Sequence, residues 1–310
     1  MKNGLSLSVS PHIHCGRTTR LIMLDVLIAL LPAVIAGTVI FGTQGIGVIA
    51  VCVGICVLSE WAFCRLVKKE QTIGDLSAVV TGVLLALNLP VTVPLWQAAV
   101  GSVFAIIVVK CVFGGIGCNL VNPAVTARVF MLVSFGNIAR NQGYPLSVDT
   151  VGGATPLVEL ANNQSVSLTD LFFGTTGGAF GETCALALLI GLLYLLIRRV
   201  ITWHIPVTFI ASAFLMTWLL KGFDVMTALS WILSGGLLLG AVFMATDYVT
   251  SPSTAWGKVI FGIGCGLLTV VIRFWSSYPE GVSFAILLMN IVAPYIENAT
   301  RRPLFGGDLR

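Results

Sequence analysis

Along most of this chain, apolar residues run for a dozen or more positions before Gly, Pro, Asn or charged residues interrupt them, with no period-two alternation. A helix needs about 20 apolar residues to cross a hydrocarbon layer, and fewer where it is broken and buried in protein. On that measure the pattern predicts ten helices. The first half contains Leu21 to Phe41, Gly45 to Val67, Leu76 to Leu89, Leu95 to Phe113 and Pro123 to Phe135. The second contains Glu182 to Val200, Ile205 to Leu220, Met226 to Ala245, Gly257 to Trp275 and Val282 to Asn298. The fold class expected is an all-α integral membrane protein of about ten transmembrane helices, some of them broken. A single transmembrane domain covers 21–298, between an N-terminal segment, 1–20, and a tail, 299–310. A polar connection over about 137–181 separates halves at about 21–136 and 182–298.

Composition fixes the solvent. Hydrophobic residues are 57% of the 310 and charged residues 10%, with a mean hydropathy of +0.98, whereas soluble domains carry about 25% charged residues. The net charge of +4 does not make a nucleic-acid binder, because the bases lie in ones to threes at the ends of apolar runs and form no basic face. They mark topology instead. With the N-terminus inside and ten crossings, Lys2, Arg17, Arg20, Arg65, Lys68, Lys69, Lys110, Arg198, Arg199, Lys258, Arg301, Arg302 and Arg310 fall on inner flanks, 13 of the 17 bases. Both termini are therefore expected in the cytoplasm and the long connection outside. The polar first 20 residues contain no cleavable signal pattern, so the N-terminus is expected to be retained. The eight cysteines show neither C-x-x-C nor ferredoxin-type spacing and read as unligated small apolar residues.

The halves resemble each other. Thr81-Gly82-Val83-Leu84-Leu85-Ala86 lines up with Ser234-Gly235-Gly236-Leu237-Leu238-Leu239, and each is followed by a polar break containing proline, Asn88-Leu89-Pro90 and Asp247 to Pro252. More loosely, Lys110 before Gly114-Gly115 faces Arg273 before Pro279-Glu280-Gly281. Five spans per half make equivalent helices run in opposite directions, which is an inverted 5+5 repeat.

Several polar groups fall where the membrane is dry. Gly114 to Pro123 reads either as a loop approaching a ligand, with Asn119 and Asn122 supplying amides, or as a Gly-rich turn in which Asn122 caps the helix starting at Pro123. Asp25 and Glu60 are expected to pair with the nearby inner-face bases Arg20 and Arg65. Arg128 suits either a phosphate, bound bidentately, or an ion pair with Glu182 or Glu159. Asp247, among the hydroxyls of Thr246, Thr250 and Ser251, suits a cation, a flavin ring or an ordinary capped turn. Asp247 and Glu280 are the candidates for ion coupling, since intramembrane carboxylates are costly and functional by default.

One threonine stands apart. In Asp149-Thr150-Val151-Gly152-Gly153-Ala154-Thr155-Pro156, Thr155 follows glycines that would let backbone N–H groups approach a phosphate, although the same residues also make a plain turn. The segment resembles the pattern D-x-x-S/T-G-A-T of the membrane flavin subunits of Na+-translocating NADH:quinone reductase and Rnf complexes. Asp149, Gly153, Ala154 and Thr155 match, and Gly152 replaces the pattern's Ser or Thr. Leu85 to Pro90, Gly114 to Asn119 with Asn122-Pro123-Ala124, Ala245-Thr246-Asp247 with Ser251-Pro252, and Tyr278 to Ala285 follow in the family's order. Lacking the longer N-terminal extension of the quinone-reductase branch, the chain is more similar to the D subunits of the Rnf branch.

The resemblance implies FMN joined to Thr155 through a phosphoester by a flavin transferase, a second, noncovalent riboflavin, and a place in an ion-translocating ferredoxin:NAD+ oxidoreductase. The implied partners are that complex's flavin-carrying G subunit, its A and E membrane subunits, and its peripheral B and C subunits. With no Rossmann fingerprint, Walker loop or iron–sulfur run in this chain, NADH and ferredoxin are expected to meet other subunits, and the isolated chain to be inactive. The alternative is a small-solute channel or transporter without redox chemistry, since the family's fold is similar to that of urea transporters.

Overall fold

The structure, a computed structural model, describes residues 18–136, 143–145, 155–162, 164, 166–276 and 280–301. Regular structure among them is helical. Two long helices, α1 (Thr19–Phe41) and α2 (Gln44–Val67), lead into the short α3 (Ser77–Leu87), then α4 (Leu95–Val103), which widens into π-helical turns over Phe104–Cys111. After α5 (Pro123–Ser134) come two six-residue helices, α6 (Pro156–Ala161) and α7 (Leu168–Phe173), then α8 (Ala185–Ile197) and α9 (His204–Leu220). The chain ends in α10 (Val225–Leu233), α11 (Leu237–Leu239) with π-helical turns over Gly240–Met244, α12 (Ala255–Trp275) and α13 (Gly281–Thr300). Large apolar side chains point outward from these helices, Val39 at 75% exposure and Ile197 at 71%. A belt of that kind matches lipid, not water, and the protein is a multi-pass membrane protein.

Four helices, α1, α2, α12 and α13, are long and apolar enough to cross a membrane alone. The span expected from Met226 to Ala245 is a broken one, with α10 and the α11 segment bent by 67° at Ser234 to Gly236. Gly235 takes φ +64° there, a conformation that costs other residues roughly 1–2 kcal/mol. Several of the other expected spans are shorter than drawn from the sequence, whereas Ile205 to Leu220 emerges at full length as α9. The 11 residues of α3 rise only about 16 Å and the 12 of α5 about 18 Å, against a hydrocarbon layer of about 30 Å. α3 ends and α5 begins inside the bundle, where polar break residues interrupt the apolar run.

Those stops meet at a polar seam between the chain's two halves. The Asn88 amide, at the end of α3, donates to the Leu84 carbonyl at 2.8 Å and to the Met244 sulfur at 3.6 Å. Asn122 caps α5, its Oδ1 accepting the N–H of Ala124 at 3.0 Å and of Val125 at 3.3 Å, while its Nδ2 reaches the Met244 carbonyl at 3.2 Å. Asn290 of α13, with its amide oriented to suit its neighbours, donates to the Thr250 carbonyl and accepts the Asn122 N–H, at 3.2 and 3.1 Å. The carbonyls of Leu87 and Leu89, freed where α3 ends, take the N–H groups of Gly181 and Phe180 at 2.8 and 3.1 Å. The Phe180 ring in turn fills the space where a Cβ on Gly45 would sit, so α2 must have glycine at that turn.

Charges pair across the bundle and not along the sequence. Glu60 binds Lys110, at 2.8 and 2.9 Å, instead of Arg65, and the ammonium's third hydrogen bond goes to Ser77 Oγ at 2.6 Å. Thr72 donates to the same carboxylate at 2.6 Å. Asp25 binds Arg198, at 3.2 Å, and the Tyr194 hydroxyl, at 3.0 Å, instead of Arg20. The expected local pairs lose because α4 and α8 bring these donors alongside α2 and α1, with Arg65 turned to the Trp61 ring at 5.6 Å.

Lys110 and Glu60 side chains are each 2% exposed, so removing one leaves the other charge buried. Lys110→Met is expected to destabilise the protein by about 3–5 kcal/mol, with Lys110→Met/Glu60→Leu recovering most of the loss. Asn122→Leu removes a cap and strands the Met244 carbonyl, with an expected cost of roughly 2–4 kcal/mol. Thermal unfolding of purified protein in one detergent checks both.

Candidate functional site

Thr155 stands at the N-cap of α6 with extended backbone, φ −68° and ψ 153°. Its carbonyl accepts the N–H of Val158 at 2.8 Å and of Glu159 at 3.0 Å, whereas its hydroxyl makes no capping hydrogen bond. That leaves a half-buried hydroxyl able to carry an ester, and the residue fits phosphoester attachment. Pro156 suits the first helical position, which needs no N–H. Asp149, Gly152, Gly153 and Ala154 lie outside the described residues.

The helix is pinned from beneath. Leu157 and Leu160, 3% and 4% exposed, pack with Trp231 of α10, and Trp231 stacks on Phe274 of α12 with centroids 4.8 Å apart and planes 22° from parallel. Lys221, just past α9, sets its ammonium 5.5 Å from the centroid of each ring. Neither Trp231 nor Lys221 stands out in the sequence, because the contact forms only when α9, α10 and α12 converge.

Next to this platform lies a group of four charges, three of them buried and the Glu280 side chain 18% exposed. Arg128 of α5 donates to Glu280 at 2.5 Å, and Glu280, not Glu182 or Glu159, is its partner. The reason is chain direction: α5 ends at the same end of the bundle where α13 begins, bringing residue 128 to the N-cap of α13. Arg273 donates to the carbonyls of Trp231 at 2.6 Å and Ser234 at 3.0 Å, closing the break between α10 and α11. Glu182 lies within electrostatic reach of Glu280, Arg128 and Arg273, and its carboxylate fills the place a Cβ on Gly236 would take. Arg128 Nη1 is buried and has no hydrogen bond among the described residues. The sequence does signal Arg273, as the counterpart of Lys110.

Asn119, Asn122 and Asp247 are elsewhere. They line a cavity of about 100 Å³ at the end of the bundle that holds Ser77 and Lys110, walled by apolar residues such as Met23, Leu195 and Phe243. Asn119 Oδ1 is buried and unpaired, while Asp247 accepts from Thr250 at 3.1 Å and its carbonyl from Ser251 Oγ at 2.7 Å, an ordinary turn. The slot is mainly apolar, with the amides of Asn119 and Asn122, several hydroxyls and the Lys110 ammonium along it. The residues grouped by sequence thus divide between two places: Thr155, Arg128 and Glu280 at one end, and Asn119, Asn122 and Asp247 at the other. The Gly114 to Asn119 loop needs its glycines, with φ of +125°, +101° and +89° at Gly114, Gly115 and Gly117. Among the described residues, no cluster of His, Cys, Asp and Glu suits a metal, and the seven cysteines are free.

The chain's relatives are membrane redox subunits. The profile of the NQR2, RnfD, RnfE family matches residues 6–306. The D subunit of the Na+-translocating ferredoxin:NAD+ oxidoreductase complex of Acetobacterium woodii is 46% identical over 307 residues, covering 97% of this chain and 95% of its own. The D subunit of the proton-translocating ferredoxin:NAD+ oxidoreductase complex of Clostridium ljungdahlii is 37% identical, covering 98% and 97%. The D subunit of the ion-translocating oxidoreductase complex of Stutzerimonas stutzeri is also 37% identical, covering 93% and 92%. Matched over nearly its whole length, the chain belongs to the NQR2, RnfD, RnfE family.

Proposed function

We propose that this chain is the membrane flavin subunit of an ion-translocating ferredoxin:NAD+ oxidoreductase complex, carrying FMN as a phosphoester on Thr155. The observation that carries the reading is the Thr155 hydroxyl: uncommitted to capping, at the start of a helix held by Leu157 and Leu160. FMN held there supplies one- and two-electron chemistry, while the protein sets its position and potential. The tethered end faces outside, by the distribution of bases, with both termini in the cytoplasm. Arg128, whose Nη1 is buried without a hydrogen bond among the described residues, is a fixed charge that could serve a phosphate beyond its bond to Glu280.

Riboflavin belongs in the cavity at the opposite end, where Asn119 and Asn122 offer amides to its ring edge and Asp247 borders the slot. The two halves form an inverted repeat, in which Lys110 secures the first turn of α3 at one end and Arg273 the start of α11 at the other. Asp247 and Glu280 remain the carboxylates to test for ion coupling. Ion-dependent ferredoxin:NAD+ activity unchanged by Asp247→Asn and Glu280→Gln would remove both. The partners are the complex's other subunits, the flavin-carrying G subunit, the A and E membrane subunits and the peripheral B and C subunits, with a flavin transferase for maturation. The redox names of the relatives speak against the solute-channel alternative.

The test is a denaturing gel of the protein co-expressed with a flavin transferase, viewed under ultraviolet light. A fluorescent band that Thr155→Ala abolishes and Thr150→Ala leaves intact is expected. No band from the unsubstituted protein would overturn the assignment.

A further inference from the structure

Two cavities meet where the Gly114 to Asn119 loop ends. The slot of about 100 Å³ described above and a second cavity of about 210 Å³ are both lined by Asn119 and Val249. Their walls differ in kind. The first is mainly apolar, whereas Thr250, Ser251, Ser253, Asn290 and Glu297 give the second hydroxyls, an amide and a carboxylate. Neither volume alone reaches the roughly 300 Å³ at which small-molecule pockets usually begin, and the pair together does. Asn119 stands between them, its Oδ1 buried and without a hydrogen bond among the described residues. Glu297 of α13 is the charged side chain in the second lining. Its carboxylate takes the Ser253 N–H at 2.7 Å and the Ser253 hydroxyl, which fix it beside the cavity. Arg301 lies within its electrostatic reach one turn further on, but is exposed, so water and salt screen it.

We propose that the second cavity seats the polyhydroxyl side chain of the flavin, and that Glu297 selects riboflavin over FMN there by repelling a terminal phosphate. The inference rests on riboflavin occupying the first cavity. Riboflavin joins a flat ring to a chain of hydroxyls, and the two walls match that division: apolar residues such as Met23, Leu195 and Phe243 flank the ring, and groups that donate or accept flank the chain. The chain of riboflavin ends in a hydroxyl, which can donate to a carboxylate. FMN ends in a phosphate, which brings a second negative charge towards it. At roughly 6 Å and an effective dielectric of about 40, one pair of like charges lowers affinity about tenfold. The protein would then treat the two flavins oppositely, holding FMN by a bond at Thr155 and keeping it out of the noncovalent site.

The experiment uses the full chain, produced without a flavin transferase so that Thr155 stays free and purified in detergent. It is incubated with riboflavin and FMN at equal concentration, separated from unbound flavin and denatured with acid, and the released flavins are separated by chromatography. Riboflavin is expected to exceed FMN by about tenfold or more. Glu297→Gln is expected to bring FMN close to riboflavin, and Glu297→Asp to keep it out. Lumiflavin, which has the ring and a methyl group in place of the chain, is expected to bind the unsubstituted protein more weakly than riboflavin does, a comparison that needs no substitution. An FMN share that Glu297→Gln leaves unchanged overturns the selection by Glu297. Equal binding of lumiflavin and riboflavin overturns the seat for the side chain, and both of these results leave riboflavin in the first cavity standing. No flavin bound by the unsubstituted chain removes that occupancy and this inference with it.

Discussion

Backbone groups released where a helix stops inside an apolar layer find no water, and the protein itself must satisfy them. Here α3 stops at Leu87, α5 starts at Pro123 and the α11 segment ends at Met244, all within the bundle. The seam of Asn88, Asn122 and Asn290 meets that demand, together with the N–H groups of Phe180 and Gly181. Apart from the capping bonds, these join the first half of the chain to the second or to the connection between them, and Asn290 ties the second half to its own Thr250 loop. The short helices are therefore stable only as parts of the whole bundle, and the cavity beside the seam is held open by the same asparagines.

Two cations secure the short helices from opposite ends. Lys110 binds Ser77, the first residue of α3, and Arg273 binds the Ser234 carbonyl just before α11. Their counter-charges differ in kind. Lys110 has one dedicated carboxylate, Glu60, in direct contact, whereas Arg273 spends its hydrogen bonds on carbonyls and shares Glu182 and Glu280 with Arg128. The first arrangement is a static brace. The second is a distributed group beside the platform that seats the Thr155 helix.

Much of this was legible in the sequence wherever the signal was local. The long apolar runs of α1, α2, α12 and α13 emerge nearly as drawn, Asn122-Pro123 caps α5, and Ser234-Gly235-Gly236 marks the bend. Lengths failed where apolar character outlasts the helix: the run from Glu182 to Val200 is helical only from Ala185 to Ile197, because the residues leading into it serve as hydrogen-bond donors to α3 and as an acid at Gly236. Ion pairs failed more completely. Asp25, Glu60 and Arg128 all choose partners at least 50 residues away in the chain over closer ones, a choice that helix packing decides and spacing along the chain does not reveal. Nor does a motif's order along the chain say at which end of the bundle each part lies: Asn119 and Asn122 line the cavity that also holds Lys110, whereas Thr155 caps α6.

The central claim is a single covalent bond at Thr155. Peptide mass spectrometry of the chain isolated from its native complex tests it directly. The account predicts that the peptide containing Thr155 carries the added mass of FMN less water, with fragment ions placing it on Thr155. An unmodified peptide recovered from a complex active in ferredoxin:NAD+ oxidoreduction would contradict it.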